Sequence, residues 1–215
     1  MRLAAFAFSA LISAPALACD TALILTIDVS NSIDPGEYRL QTDGLADALQ
    51  DPEIVETMVA GETMITVVQW SGVDKQTVSI PWTQVRTALD AEILSQRARA
   101  MDRAFVLSDT APAEAIFFSL RLFDQVPDCD RKVIDVSGDG TPNSGSDVRA
   151  ARSAAERAGV TINAIAIESM GLAITNFYRS SVITRNGFVM TARMHRAYPD
   201  TIRAKILREI SRIFG

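Results

Sequence analysis

The 215-residue sequence predicts an α/β fold: a doubly wound, mostly parallel six-stranded sheet with one antiparallel edge strand and helices on both faces. Three observations predict it. The run ALILTIDV at 22–29 is apolar almost throughout, as a strand buried on both faces of a parallel sheet requires. Strand-like and helix-like segments then alternate along the chain. The one break in that alternation is a pair of β-rich runs, 63–70 and 76–82, joined by SGVDK, which has the composition of a hairpin.

In chain order, residues 1–18 (MRLAAFAFSALISAPALA) read as an export signal and not as fold. Arg2 supplies the positive start, Leu3 to Ile12 an apolar core too short for a membrane span, and Ala16-Leu17-Ala18 a small-x-small cleavage site. Acylation of Cys19 as a lipoprotein is the weaker reading, because Ala16 stands where that signal usually has Leu. The expectation is a periplasmic or secreted protein whose residues 19–215 form a single domain. After the strand at 22–29, Asp34-Pro35-Gly36-Glu37 combines an N-cap, an N1 proline and a capping box, so a helix runs from there to about Leu49, where Asp51-Pro52 stops it. Pro81 confines the second hairpin strand to a sheet edge.

Helices follow at about 83–103 and 111–124, the latter with Ile116, Leu120 and Phe123 at helical spacing. KVIDVS at 132–137 is the next strand, and Gly138 to Ser146 a loop. A small-residue helix with Val148, Ala151, Ala155 and Ala158 on one face ends at Gly159. A strand at 160–167, a helix at 173–183, a strand at 187–192 and an amphipathic helix with Ile202, Ile206, Ile210 and Ile213 complete the chain.

Composition removes whole classes of function. Of 21 basic residues one, Arg2, lies in the leader, so residues 19–215 carry 20 against 26 acidic residues, a net charge of −6. Bulk charge therefore gives no basis for binding nucleic acid. No stretch after the leader is apolar for long enough to span a membrane. The two cysteines, Cys19 and Cys129, suit one disulfide in an oxidising compartment, with two buried free thiols as the alternative. A single histidine, His195, leaves no His-based metal site.

In a sheet of this kind ligands sit beyond the carboxyl ends of the strands. The first strand ends there in Asp28-Val29-Ser30-Asn31-Ser32, whose alternate side chains can point the same way. Ser108-Asp109-Thr110 precedes one helix, and Ser137-Gly138-Asp139-Gly140 ends the central strand. Together these resemble the metal-ion-dependent adhesion site of von Willebrand factor A-type (vWA) domains: DxSxS at 28–32, a lone threonine at Thr110, and Asp139 followed by Gly140, in the family's order and across essentially all of 20–215. Ile134 to Gly140, Val160-Thr161-Ile162-Asn163 and the start at Cys19 are similar to a narrower group of exported bacterial proteins of unassigned function.

The resemblance implies a ligand set of Asp28, Ser30, Ser32, Thr110 and Asp139 holding Mg²⁺, or alternatively Mn²⁺ or Ca²⁺. It also implies a protein partner that supplies a carboxylate to the metal, hence binding and not catalysis. The chemistry is coherent by itself: hard cations take oxygen ligands, and few anionic ligands leave the metal electrophilic. The family's strand order would also place Cys19 beside Cys129, at the end opposite the metal. Ala-Pro-Ala-Glu-Ala after Thr110 departs from the family's small residues and brings Glu114 towards the site.

Plainer roles compete for each residue. Asp28, Ser30 and Ser32 could cap a helix, but Asp34 already does so. Thr110 would suit the N-cap of the 111–124 helix, and Asp139 an ordinary turn. Asp109 and Asp135 read as structural or solvated, Trp70 and Trp82 as packing, His195 as a surface or capping residue, and the basic face of 203–212 as solvated helix surface. A metal-dependent hydrolase is the rival enzyme reading. Against it, position 30 is Ser where an aspartate phosphotransferase has a second Asp, no Gly-x-Ser-x-Gly elbow has a partner histidine, and Ser146-Asp147 replaces the Lys-Ser/Thr of a P-loop. A cytoplasmic chelatase subunit conflicts with the leader, and a structural vWA domain without a working metal site conflicts with the complete ligand set.

Overall fold

The computed structural model describes residues 19–126 and 129–211. The leader at 1–18 and Ile213 lie outside the described residues. Six strands, β1 (Cys19–Asp28), β2 (Met64–Trp70), β3 (Gln76–Gln84), β4 (Cys129–Gly138), β5 (Thr161–Glu168) and β6 (Val189–Arg193), form one sheet in the order β3-β2-β1-β4-β5-β6. All neighbours are parallel except β2 and β3. The proline-bearing β3 lies at the edge, where its missing N–H costs no ladder bond.

Alternation along β1 explains its unbroken apolar run. Leu23, Leu25 and Ile27 enter one core with α1 (Pro35–Leu49), α2 (Pro52–Ala60), α3 (Ala88–Arg99) and α7 (Tyr198–Ile210). Ala22 and Ile24 enter the other, with α4 (Pro112–Leu122) and α5 (Val148–Arg157). The strand order puts β1 and β4 side by side at the sheet's centre, with Cys19 opposite Cys129. The two cysteines form a disulfide with Cα atoms 4.6 Å apart, so the alternative of two free thiols is excluded.

Several boundaries differ from the sequence reading. Asp51-Pro52 both ends α1 and starts α2: Asp51 Oδ1 accepts from the Glu53 and Ile54 N–H groups, and Pro52 fills the first turn. The 83–103 helix is shorter because β3 runs to Gln84 and a Thr87/Asp90 capping box sets the start at Ala88. The 173–183 helix is α6 (Ala173–Phe177) followed by a π-helical turn at Tyr178–Val182. The last strand lies at Val189–Arg193, not 187–192, and a 3₁₀ turn at His195–Ala197 precedes α7. Among the described residues no helix is long and apolar enough to cross a membrane.

Candidate metal centre

β1 delivers Asp28 to the carboxyl end of the sheet as a fully buried carboxylate. The chain then turns, and the Ser30 N–H donates to Asp28 Oδ1 at 2.7 Å. Ser30 Oγ lies 3.1 Å from Ser32 Oγ, and the Ser32 hydroxyl donates to Asp139 Oδ1 at 2.6 Å. DxSxS and the Asp at the end of β4 are thus joined by one chain of oxygens across the β1–β4 seam.

Thr110, also buried, faces the same loops. Its N–H donates to Asn143 Oδ1 at 2.8 Å, and the Asn143 N–H returns a bond to its carbonyl at 3.1 Å. Thr110 Oγ1 lies 3.8 Å from where a Cβ on Gly140 would stand. The structure therefore brings all five predicted residues to one end of the sheet. Thr110 does not cap α4, whose N-cap is Ala111 with no side-chain bond. Glu114 turns towards the 138–147 loop, accepting from Ser146 N–H at 2.9 Å and Ser146 Oγ at 2.6 Å, so it fixes that loop.

Electrostatically the cluster is short of positive charge. Burial pushes the Asp28 carboxyl up to about 7, against the pull of the Ser30 hydrogen bonds; Asp139's charge adds to the rise and Arg103 opposes it. Burial also raises Asp139, with the Ser32 hydroxyl opposing. Asp28 Oδ2 is buried with no hydrogen-bond partner among the described residues. An underbonded carboxylate ringed by hydroxyls is a donor set for a hard cation, and the residues present fit one. Among the described residues no group of three or more His, Cys, Asp or Glu could hold a metal, so any such site depends on the hydroxyls.

Three contributors escaped the sequence reading. Arg103 Nη2 donates to the carbonyls of Val29 and Ser30, at 2.9 and 2.8 Å, and so clamps the DxSxS turn from 73 to 74 residues away. Tyr178, fully buried in the π-helical turn, has an orphan hydroxyl. A Cβ on Gly138 would stand 2.5 Å from that hydroxyl and 3.0 Å from Asp28 Oδ2, so both oxygens border one gap that only glycine leaves open. His195, expected as a surface or capping residue, is buried, with Nδ1 2.9 Å from Glu37 Oε1. It pulls the Asp139 pKa down while Glu37 pushes it up. Arg103 and Tyr178 lie in segments whose helices were misplaced, and no linear motif marks any of the three.

On the far side Asp135 falls on one of its two expected roles, and Lys205 departs from the expected solvated face. Asp135 is structural and not solvated, because it is fully buried beside Lys205 at 2.7 Å. Lys205 itself is fully buried, so the basic face of the last helix is not wholly solvated. Trp70 is core, and Trp82 packs on Phe123 while its Nε1 donates to the Leu122 carbonyl.

Comparison with solved structures shows the fold. Proximal thread matrix protein 1 from the mussel byssus matches with a TM-score of 0.66 at 18% identity, over 88% of this chain and 47% of that one. A von Willebrand factor type A protein from Catenulispora acidiphila matches with a TM-score of 0.63 at 15% identity, over 90% and 43%. The vWF domain of the type V pili tip protein Mfa5 from Porphyromonas gingivalis matches with a TM-score of 0.60 at 12% identity, over 90% and 97%. The chain spans about half the length of the first two. No curated protein matches in sequence. The architecture is that of vWA domains, and a family model described as "Protein of unknown function (DUF1194)" matches residues 18–214. With nearly the whole chain covered and its fold accounted for, the protein belongs to the DUF1194 family.

Proposed function

We propose that the protein is an exported binding protein that holds a divalent cation, Mg²⁺ or a similar ion, with Asp28, Ser30, Ser32, Thr110 and Asp139, and through it an acidic group of a protein partner. The observation that carries this reading is the oxygen chain Ser30–Ser32–Asp139 beside a buried Asp28 oxygen without a partner. Once bound, the cation supplies a Lewis-acidic position for a carboxylate. The chain's own residues set the rest: Arg103 holds the turn, Asn143 holds Thr110, and Glu114 holds the 138–147 loop.

Neighbouring structures support the reading by analogy. One form of the mussel byssus protein, at 18% identity, is described with a zinc-occupied MIDAS motif. Another neighbour, at 12% identity, is the pilus adhesin SpaC from Lactobacillus rhamnosus GG. The disulfide supports export into an oxidising compartment.

The surroundings suit a protein partner better than a small substrate. Exposed Val73, Val106, Leu107, Met170, Leu172 and Met194 all lie in loops at the carboxyl end of the sheet. Leu107 and Met194 are held there at positive φ, 50° and 60°, a conformation that costs a non-glycine residue energy. A carboxylate flanked by apolar side chains complements such a rim.

The test is titration calorimetry with Mg²⁺ and Mn²⁺ on chelator-stripped wild type and Asp28→Ala. Binding by the wild type that is lost in the variant is expected. Equal heats from both proteins would sink the reading.

A further inference from the structure

A second group of buried charges lies on the other face of the sheet, outside the metal centre. Lys205, on α7, points into the core with no exposure, its Nζ 2.7 Å from Asp135 Oδ1 and 2.5 Å from Glu209 Oε1. Asp135, in the middle of β4, and Glu209, one helical turn beyond Lys205, are 1% and 3% exposed. The Phe188 ring lies 5.5 Å from Nζ, and the apolar side chains of Ile206 and Ile210 are buried on the same helix. Asn163 of β5 donates to Glu209 Oε1 at 2.8 Å and so fixes that carboxylate.

Lys205 Nζ and Asp135 Oδ1 form a close, fully buried ion pair. The second Asp135 oxygen is buried with no hydrogen-bond partner among the described residues, and Nζ lies 2.7 Å from Oδ1. The carboxyl carbon, one C–O bond of about 1.2 Å behind that oxygen, is no more than about 3.9 Å from the nitrogen. The about 3–3.5 Å of a near-attack arrangement lies within that bound, and the two groups are carried by a sheet and a helix packed on one core.

We propose that Lys205 and Asp135 become joined by an amide bond between Nζ and Cγ, formed by the protein itself with Glu209 as the proton carrier. A proton first passes from the Lys205 ammonium to the Asp135 carboxylate, leaving neutral amine and acid; the amine then attacks Cγ while Glu209 accepts a proton from nitrogen. The tetrahedral centre then collapses: the Cγ–O bond breaks, Glu209 returns the proton to the departing hydroxyl, and one water leaves. Lysine ammonium and aspartate carboxylate thus become an amide and water, with no oxidant, metal or nucleotide consumed.

The environment favours the protonated acid and the product. Burial raises the Asp135 carboxyl, with the Lys205 charge opposing, which favours its protonated form; the Glu209 carboxyl stands at about 7 for the same first reason, poised to take and give a proton near neutrality. The amide also replaces two buried opposite charges by a neutral group, removing the cost of keeping ions out of water. The bond would fasten the last helix to the same central strand that carries the Cys19–Cys129 disulfide.

Intact-mass spectrometry of the purified full chain, with peptide mapping, tests this. The wild type is expected to be lighter than its sequence by one water, about 18 Da beyond disulfide formation, with a branched peptide joining 135 to 205. Dehydration at Asp139-Gly140 would give the same mass, so the map decides. Asp135→Ala and Lys205→Met should show the full mass. Glu209→Gln, which keeps the shape of the site, should show full mass in a folded protein. Full mass in the folded wild type, or a link mapping to Glu209 in place of Asp135, would overturn the proposal. Complete linkage in Glu209→Gln would overturn the role given to Glu209.

Discussion

Asp28 and Asp135 are both fully buried aspartates on the two central, adjacent strands, yet they are furnished in opposite ways. Asp135 faces α7 and has the cation of Lys205 at 2.7 Å. Asp28 faces the other core, where its second oxygen meets only the gap beside Gly138 and the orphan Tyr178 hydroxyl. A buried carboxylate needs a positive partner or a proton. One strand has that partner built into the fold, and the other ends at a set of hydroxyls where the proposed cation would supply it. The two faces of one sheet thus treat a buried aspartate in opposite ways.

The sharpest way to break this comparison is to remove the internal cation. Lys205→Met removes the partner of Asp135, whether held as an ion pair or as the proposed amide, leaves Asp135 and Glu209 facing each other in the core, and should lower stability by about 3–5 kcal/mol in urea unfolding. A drop no larger than that of an ordinary surface substitution would mean the two aspartates do not differ as described. Next in size is the other tie on β4: Cys19→Ser with Cys129→Ser should cost about 2–5 kcal/mol under oxidising conditions and nothing further under reducing ones, measured by the same unfolding curves.

A pH series separates the two faces further. Burial lifts Glu209 from 4.5 to about 7, with the Lys205 charge opposing. Between those values the folded protein holds a proton that the unfolded chain has released, so this contribution is full below about pH 4.5 and is lost as the pH rises through about 7. Glu209→Gln should flatten that part of the fall in Tm, and added Mg²⁺ should leave it untouched. A wild type and variant with parallel Tm profiles would remove Glu209 from the account. The smallest effect is expected at Tyr178: Tyr178→Phe should weaken metal binding about tenfold in calorimetry with an unchanged Tm, as loss of an outer polar contact does. A fall in Tm with unaltered affinity would make Tyr178 a packing residue only.

What could be read from the sequence follows the range of the interactions. DxSxS and Asp139-Gly140 are local patterns at strand ends, and the alternation of Leu23, Leu25 and Ile27 with Ala22 and Ile24 fixes a two-faced buried strand without any distant information. Arg103 reaches back to Val29, and Lys205 reaches β4 from a helix whose other basic residues do point outward. An i,i+4 partner such as Glu209 is equally usual on a solvated helix face, so it does not mark Lys205 as the inward one, and its other partner, Asp135, lies 70 positions away in the chain. The α1–α2 junction was missed for a different reason: Asp-Pro serves equally as a stop and as a start, and only the packing of Ile54 and Met58 decides between them.

The bridge at Cys19 also makes two maturation routes mutually exclusive. A sulfur shared with Cys129 cannot carry a thioether-linked lipid, and a lipidated Cys19 would leave Cys129 as the one free thiol of residues 19–215. Counting thiols in the folded protein with a maleimide would therefore separate the two forms: none with the bridge, one with an acylated Cys19.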